Sequence, residues 1–496
     1  MKKQFVAAIM LCLIGGIAMA QNERDAFRYA QYSPTGTARY TSLAGSMGAF
    51  GADFSVLSAN NPAGIGLFKR AEVTLTLAVP YFKTTSTYNG VSQEGIRTGF
   101  MCNNVGFVIP FNLSEKTKWK AIQFATGLNN LAQYRGEIVV RGLNDGEEQG
   151  TSNYFDYIAS YSNGTRFTAL EGLAGTAFDY YLIDTVSGDN QYHALGRDVF
   201  NQQKISTSNG SLNEWVFSFG GNYDDKLFVG ATVGVPFFNY NETTIYTETA
   251  DYDNLSYDQF TVTDEFKSSA TGINFKLGLI YQPAKYVRVG LAFHTPTAYL
   301  NVKDEWFQTQ YEFLGLYNPI DSSRSDLKEP KRDSEKVRGT HNYQLNTPFR
   351  AMANVAFIIN KYGFINIDYE LTDYSKSHLQ SNIYDFVSEN NAVKDYYGLA
   401  HTIRAGGELN LSPFALRLGY SYTSNPYTKN LEKNGSSHTI CGGVGFKSKS
   451  FFADFAYMYR FTNDKDVLYD AASVHPHSSR IVNQVFALTL GLKMGK

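Results

Sequence analysis

The feature that most constrains the fold is a period-two alternation of apolar and polar residues, which recurs along the chain after residue 70. In residues 72–81 the odd positions are apolar and the even positions are small or polar. The same pattern runs through residues 227–237 and 486–493. Alternation of this kind is typical of β-strands whose two faces meet different surroundings. The chain is therefore predicted to be all-β.

Charged residues lie on the polar faces of several of these segments, at Arg288, Asp368, Glu370 and Arg417. In a soluble β-sandwich or propeller the apolar face would be buried and the polar face would meet water. In a barrel that spans a bilayer the apolar face points outward and the polar face points to the lumen. The connections between the strands decide between these architectures.

We assign fourteen strands, at approximately residues 71–86, 98–110, 118–135, 211–222, 226–245, 258–282, 286–301, 337–359, 362–374, 398–410, 414–424, 437–447, 450–461 and 480–494. Short connections, such as 224–225 and 412–413, alternate strictly with longer ones, such as 87–97 and 136–210. Outer-membrane barrels have an even strand number, short periplasmic turns and long outer loops. Sandwiches and propellers have no reason to sort their loops in this way.

The sequence therefore predicts a 14-stranded antiparallel transmembrane β-barrel over residues 71–496, in the outer membrane of a Gram-negative bacterium, with both termini periplasmic. The 35 Tyr, 36 Phe and 43 Gly residues suit strands with interfacial aromatic girdles. A net charge of −2 implies no nucleic-acid partner. Cys102 and Cys441 are too few for a disulfide framework, and whether they pair is left open.

Residues 1–20 have the pattern of a secretory signal peptide. Lys2 and Lys3 precede an apolar run over residues 5–17, and small residues occupy the cleavage positions before Gln21. No later stretch holds the ~18 consecutive apolar residues that a spanning helix needs.

Residues 21–70 precede the first strand and are predicted to form a hatch inside the barrel. Residues 39–70 are small and nearly uncharged, with Gly45, Gly48 and Gly51 at every third position. A barrel of this size encloses a lumen wider than the side chains of its wall fill. The motif that ends the hatch comprises Asn60, Asn61, Pro62, Ala63 and Gly64, where proline breaks any helix before the first strand.

The segment 36–70, with Gly51-Ala52-Asp53 and then Asn61-Pro62-Ala63-Gly64 directly before the first strand, resembles the hatch of the FadL/OmpP1/TodX family of outer-membrane transporters. The resemblance implies a hatch-plugged barrel that takes up long-chain fatty acids or other hydrophobic compounds. It also implies a kink in the third strand that opens the wall sideways. Gly127, Asn129 and Asn130 interrupt the alternation there, and we expect them to form a bulge facing residues 60–63 of the hatch.

Two long outer loops carry apolar side chains that could capture a hydrophobic ligand. The candidate groove residues are Ile158, Leu170, Leu173, Phe178, Tyr181, Trp306 and Phe313. Residues 170–181 repeat at helical spacing, and residues 154–161 suggest a second short helix. The alternative is that these stripes only pack on each other to fold the loops.

The sequence predicts no enzyme, because it holds neither a GxSxG nor an HExxH motif. It also predicts no cofactor and no metal site, since the HxH pair at His475 and His477 is unremarkable among eight dispersed histidines. We expect a monomeric channel for passive uptake of hydrophobic small molecules, in contact with outer-membrane lipid and the barrel assembly machinery. The alternatives are a general diffusion porin or a surface receptor for another apolar ligand such as haem.

Overall fold

The computed structural model describes residues 23–114, 116–144, 153–186, 190–195, 199–250, 256–329, 339–431, 433–469 and 474–495. The predicted signal peptide, residues 1–20, lies outside these ranges, and so do residues 470–473. Within them, fourteen antiparallel strands form one closed sheet, which confirms the predicted barrel. The sheet closes because the last strand pairs with the first, from Ala71 opposite Met494 to Thr87 opposite Ser478.

We number the wall strands β1 to β14 in chain order, and five of them have a short interruption. They are β1 Ala71–Tyr88, β2 Val91–Thr98 with Met101–Asn112, β3 Trp119–Gln133 with Gly136–Leu143, β4 Phe200–Tyr223, β5 Leu227–Ala250, β6 Gln259–Ala284, β7 Val287–His294 with Ala298–Asn318, β8 Gly339–Asn346 with Arg350–Ile359, β9 Gly363–Asp373 with His378–Gln380, β10 Leu399–Leu411, β11 Phe414–Thr423, β12 Ser437–Lys447, β13 Phe451–Asp466 and β14 His477–Met494.

All fourteen strands lie where the alternation places them, but several extend further. The connection predicted at 87–97 is a tight turn at Asn89 and Gly90, because β1 and β2 continue as a hairpin. The loop predicted at 302–336 is mostly strand, since β7 runs to Asn318 and Ser323–Glu329 pairs back onto it.

The apolar faces of the strands point outward and the polar faces point inward. On β6, Phe275 and Leu277 are 52% and 60% exposed, whereas the intervening Lys276 is buried. Outward apolar residues recur on every part of the wall. This arrangement, with apolar faces outside and polar faces inside, is the reverse of that in a soluble protein and is what a lipid environment requires.

Residues 23–70, which we call the N-terminal segment, lie inside the closed sheet. They form α1 Glu23–Arg28, α2 Ala38–Ser42, α3 Phe54–Ala59 and a 3-10 turn Pro62–Leu67. Asp53 caps α3 by accepting from the amide of Ser55, and it also accepts a 2.8 Å hydrogen bond from the Thr37 hydroxyl. Since Thr37 itself caps α2, the starts of the two helices are joined.

The N-terminal segment runs the length of the lumen. Arg24 pairs at 2.9 Å with Asp466, at the long-loop end of β13, whereas Arg70 donates a 2.6 Å bond to the Lys449 carbonyl in a short turn. Residue 23 lies toward the long loops, and β14 ends at the short turns. That both termini are periplasmic stays a prediction.

Residues 153–195, which we call the outer cap, cover the long-loop end beside β4 to β7. Their described parts form α4 Tyr154–Ser162, α5 Gly172–Asp179 and a small hairpin, Ile183–Thr185 with Tyr192–Ala194. A last helix, α6 Val387–Tyr396, follows β9. None of the helices in the described ranges is long and apolar enough to cross a membrane.

We predict that Leu277→Arg destabilises the barrel by about 2–4 kcal/mol, because this outward side chain would place a charge in hydrocarbon. Urea unfolding in lipid vesicles measures the effect, with Leu277→Phe as the matched control. Equal stability of the two variants would show that this face does not meet lipid.

Candidate functional site

The N-terminal segment is hydrogen-bonded to strands on opposite sides of the lumen. Three contacts show the span: Ser58 donates to Glu214 on β4 at 2.6 Å, the Gly48 amide donates to Asp368 on β9 at 3.1 Å, and the Ala38 amide donates to Thr489 on β14 at 2.6 Å. A cavity beside Tyr32 has a volume of only about 50 Å³ and is lined by Arg350, Glu370 and other polar groups. Ligand pockets typically measure ~300–1,000 Å³, so this cavity is too small for a ligand while the segment is in place.

The predicted motif at residues 60–64 forms a corner of this segment and is bound to the wall. The Asn61 side chain accepts from the Ala63 amide at 3.0 Å and donates to the carbonyls of Leu279 on β6 and Leu291 on β7, at 3.2 and 3.3 Å. Asn60 donates to Asp368 at 3.0 Å. The motif thus fixes one corner of the segment against β6, β7 and β9.

Pro62, Ala63 and Gly64 complete the corner by close packing. Pro62 begins the 3-10 turn, and Ala63 is buried against Phe228 and Ile280 of the wall. A Cβ on Gly64 would lie 3.1 Å from the Gly51 Cα. The small residues are therefore needed for the two turns of the segment to touch.

The loop before α3 is held by two inward side chains of β9. Asp368 accepts from the backbone amides of Met47 and Gly48. The side-chain oxygen of Asn366 accepts from the backbone amides of the next two residues, 49 and 50. A Cβ on Gly48 would lie 2.3 Å from the Asn354 side chain. This close approach explains one of the regularly spaced glycines.

Buried charges pair across the interface between segment and wall. Glu408 on β10 accepts from Arg39 at 2.8 and 3.1 Å, and it also accepts from Arg417 at 2.7 Å. Lys276 and Glu214 form a second, fully buried pair that contacts Ser58. Burial raises the pKa of Asp53 in the segment, while Arg39 and the Thr37 hydroxyl oppose that shift. Removing one partner of such a pair strands a buried charge, so these pairs specify one position of the segment.

The hydrogen-bond ladder between β2 and β3 stops partway up the wall. Pairing runs from Asn112 opposite Ala121 to Asn104 opposite Asn129 and then ends. Beyond it, among the described residues, the upper part of β2 pairs with β1 alone and the upper part of β3 pairs with β4 alone. Arg135 next bridges the two strands by donating to the Thr98 carbonyl at 2.6 Å. We call residues 99–103 and 130–134 the wall gap.

The N-terminal segment supplies hydrogen bonds to the inner side of the wall gap. The Ser33 amide donates to the Leu131 carbonyl at 2.8 Å, and the Thr35 hydroxyl donates to the Asn130 carbonyl at 3.3 Å. On the other edge, Asn103 donates to the Gly36 carbonyl at 3.1 Å. Residues 33–36 therefore cover the wall gap from inside and bond to both of its edges.

The residues predicted to form the bulge lie at the lower edge of the wall gap, but not all of them belong to it. The register with β4 shifts between Asn130 and Ala132, so Leu131 is the extra residue. Asn129 accepts from Ser55 at 3.1 Å. Gly127 remains in the ladder, where a Cβ would lie 2.7 Å from the Phe54 ring.

The expected contact between this bulge and residues 60–63 is wrong. Residues 33–36 and Ser55 face the bulge, whereas Asn61 lies against β6 and β7. The difference is a rotation of the segment within the lumen, which the local sequence pattern does not encode.

Above the wall gap, aromatic residues of α1 fill an apolar part of the lumen. Phe27 stacks on Tyr397 with ring centroids 4.5 Å apart, and the adjoining Tyr29 stacks on Phe238 at 3.8 Å. The same cluster includes Leu131 of the bulge. We call it the aromatic lumen cluster, which comprises Phe27, Tyr29, Leu131, Phe238, Tyr240, Tyr299, Tyr343 and Tyr397 with their apolar neighbours. The cluster is not among the residues predicted from the sequence, although Phe27 on α1 and Tyr29 just after it are a visible aromatic signal.

The predicted groove residues of the outer loops mostly form a core. Ile158, Leu173 and Phe313 are buried together in one cluster, with Leu170 and Phe178 packed against it. Tyr181 is 52% exposed. Trp306 lies elsewhere, against Gly339 of β8. The helices expected near residues 154–161 and 170–181 are present as α4 and α5, and their stripes pack on each other.

Cys102 and Cys441 are both free thiols, so they do not pair. Within the described residues, no group of three or more His, Cys, Asp or Glu side chains is arranged to hold a metal ion.

The sequence matches no protein-family model and no curated protein. The fold, however, is similar to solved structures. A Pseudomonas aeruginosa FadL homologue aligns with a TM-score of 0.54 at 12% identity, over 94% of this chain and 100% of that one. The P. putida toluene transporter TodX gives 0.53 at 11% identity over 94% and 100%, and the Ralstonia pickettii toluene transporter TbuX gives 0.51 at 15% identity over 95% and 100%. The barrel fold expected from the resemblance is confirmed.

We predict that Asn61→Asp loosens the N-terminal segment, because aspartate keeps the acceptor for the Ala63 amide but loses both donors to the wall. Hydrogen exchange of residues 23–70 should become faster, while heat-modifiable migration of the barrel stays unchanged. Asn434→Asp, in an outer loop, is the control. Unaltered exchange in Asn61→Asp would mean that the wall bonds do not hold the segment.

Proposed function

We propose that this chain is an outer-membrane channel for the passive uptake of hydrophobic molecules such as long-chain fatty acids, and that residues 23–70 are its hatch. One observation carries the proposal: the segment that fills the lumen also seals a break in the wall. Residues 33–36 bond to both edges of the wall gap. Movement of one segment would therefore open the lumen and the wall together.

Capture begins at the outer cap in this proposal. Ile158, Leu173 and Phe313 support the cap from within, and the partly buried Leu170 and Phe178, with the exposed Tyr181, offer the apolar edge that a ligand meets first. The aromatic lumen cluster is the next site, because α1 occupies it with side chains of the size that a hydrophobic ligand has.

The exit is sideways through the wall gap, between Asn104 and Thr98 on β2 and the facing part of β3. Leu131 belongs both to the aromatic lumen cluster and to the gap, so the two are continuous. A greasy molecule that leaves through the wall avoids the aqueous periplasm, where each CH₂ returned to water costs ~0.8 kcal/mol. Asn129 and Asn130 form the lower rim of this exit, and Gly127 lets Phe54 pack beneath it.

A general diffusion porin is the less favoured function, because its lumen would be open and water-filled. Here the hatch bonds to both sides of the wall and leaves a polar cavity of about 50 Å³. FadL and TodX structures share the fold at 11–12% identity, and TodX and TbuX are toluene transporters. We therefore favour a channel over an enzyme or a haem receptor, and expect a monomer inserted by the barrel assembly machinery with its short turns in the periplasm.

A disulfide between positions 35 and 130 tests the proposal. The side chains of Thr35 and Asn130 approach to 3.4 Å, so Thr35→Cys with Asn130→Cys should lock the hatch onto the wall gap. In a background of Cys102→Ser and Cys441→Ala, we predict that oxidation abolishes uptake of radiolabelled oleate and that reduction restores it.

The control disulfide joins positions 87 and 92, whose hydroxyls lie 2.8 Å apart in the outer β1–β2 hairpin, away from the gap. It should leave uptake unchanged under both conditions. Equal transport by the oxidised and reduced 35–130 protein would contradict the proposed route.

A further inference from the structure

Several buried polar groups in and beside the aromatic lumen cluster lie near one another but make no hydrogen bond of good geometry among the described residues. They are the hydroxyls of Tyr29, Ser268, Tyr299 and Tyr343 and both carboxylate oxygens of Asp304. A buried polar group without a partner is costly and rare. Asp304 is fully buried, and it is directly opposite Ser268 in the pairing of β6 with β7. The acceptors of these two residues are thus brought together on the inner face of the wall.

Tyr29 of the hatch occupies the space beside them. Its ring lies nearly parallel to Phe238, at 3.8 Å and 16°, and edge-on to Tyr134 at 5.9 Å. Burial raises the pKa of Tyr29, and the nearby Asp25 and Asp304 carboxyls raise it further, whereas the Arg28 guanidinium and the Ser268 hydroxyl lower it. The Tyr29 phenol therefore stays protonated, as a donor beside Asp304 and Ser268.

We propose that Asp304 and Ser268 form a recognition site for the hydroxyl of a phenol-like ligand, and that Tyr29 occupies this site while the hatch is closed. This inference rests on the proposed function and names a substrate class for it. Phe238 supplies the face on which an aromatic ring stacks, and Tyr134 borders its edge. The wall keeps these groups when α1 withdraws, because only Tyr29 belongs to the hatch.

The site distinguishes phenols from hydrocarbons of the same shape. A ligand hydroxyl can donate to Asp304, whereas a plain hydrocarbon of the same shape offers this buried carboxyl group no hydrogen bond. Sites built to bind a polar group reject the analogue that lacks it for this reason. p-Cresol and toluene are the matched probes, since they are the side-chain analogues of tyrosine and phenylalanine.

The full-length Tyr29→Ala variant, purified in detergent, tests the inference by calorimetric titration with each probe. We expect it to bind p-cresol more tightly than the wild type does, because Tyr29 no longer competes. We also expect it to prefer p-cresol over toluene by about tenfold. Adding Asp304→Leu should remove that preference, whereas adding Asp304→Asn should keep it, because the amide oxygen still accepts.

Heat-modifiable migration on gels identifies variants that have not folded. Adding Ser268→Ala to Tyr29→Ala removes one hydroxyl of the site and should reduce, but not abolish, the preference for p-cresol over toluene. Equal binding of p-cresol and toluene to Tyr29→Ala, or a preference that survives Asp304→Leu, would overturn hydroxyl recognition and leave uptake of apolar compounds intact. Failure of the 35–130 disulfide to affect oleate uptake would instead overturn the proposed function.

Discussion

Backbone hydrogen bonding is the constraint on which the rest of the structure depends. In hydrocarbon each unpaired backbone group costs several kcal/mol, so a sheet that crosses a bilayer must close and must keep its ladder intact. This barrel closes through β1 and β14 but breaks its ladder between β2 and β3. The Ser33 amide and the Thr35 hydroxyl offset part of this break by donating to two backbone carbonyls of β3, and the Gly36 carbonyl accepts from the Asn103 side chain on β2. The hatch therefore completes the hydrogen bonding of the wall at this one break, while the other strand pairs close without it.

The remaining contacts of the hatch determine where those few bonds form. Arg39 pairs with Glu408 on β10, and the Asn61 side chain donates to two backbone carbonyls, one on β6 and one on β7. Buried pairs of this kind add little net stability but penalise displaced arrangements. Together these contacts hold the hatch in one position in the closed state, and in that position Phe27 and Tyr29 fill the apolar part of the lumen. An apolar ligand that competes for this space would favour the open state by its differential affinity.

Strand positions were predictable because alternation is a local property of the sequence. Residues 227–237 show apolar and small positions in strict order, and β5 lies there. The upper half of β7 was missed, because the aromatic run at residues 306–317 obscures the alternation. Residues 60–63 were recognised as a motif, yet their partners on β6 and β7 depend on how the hatch is rotated in the lumen. For the same reason the contacts of residues 33–36 and Tyr29 with the wall could not be predicted from the sequence.

Without its hatch the barrel should be wide enough to conduct ions, and planar-bilayer conductance of a chain lacking residues 22–66 measures this. The strands can pair without the hatch, so the truncated protein should retain heat-modifiable migration. Its single-channel current should be much larger than that of the full-length protein. An unchanged current in the folded, truncated barrel would contradict the account.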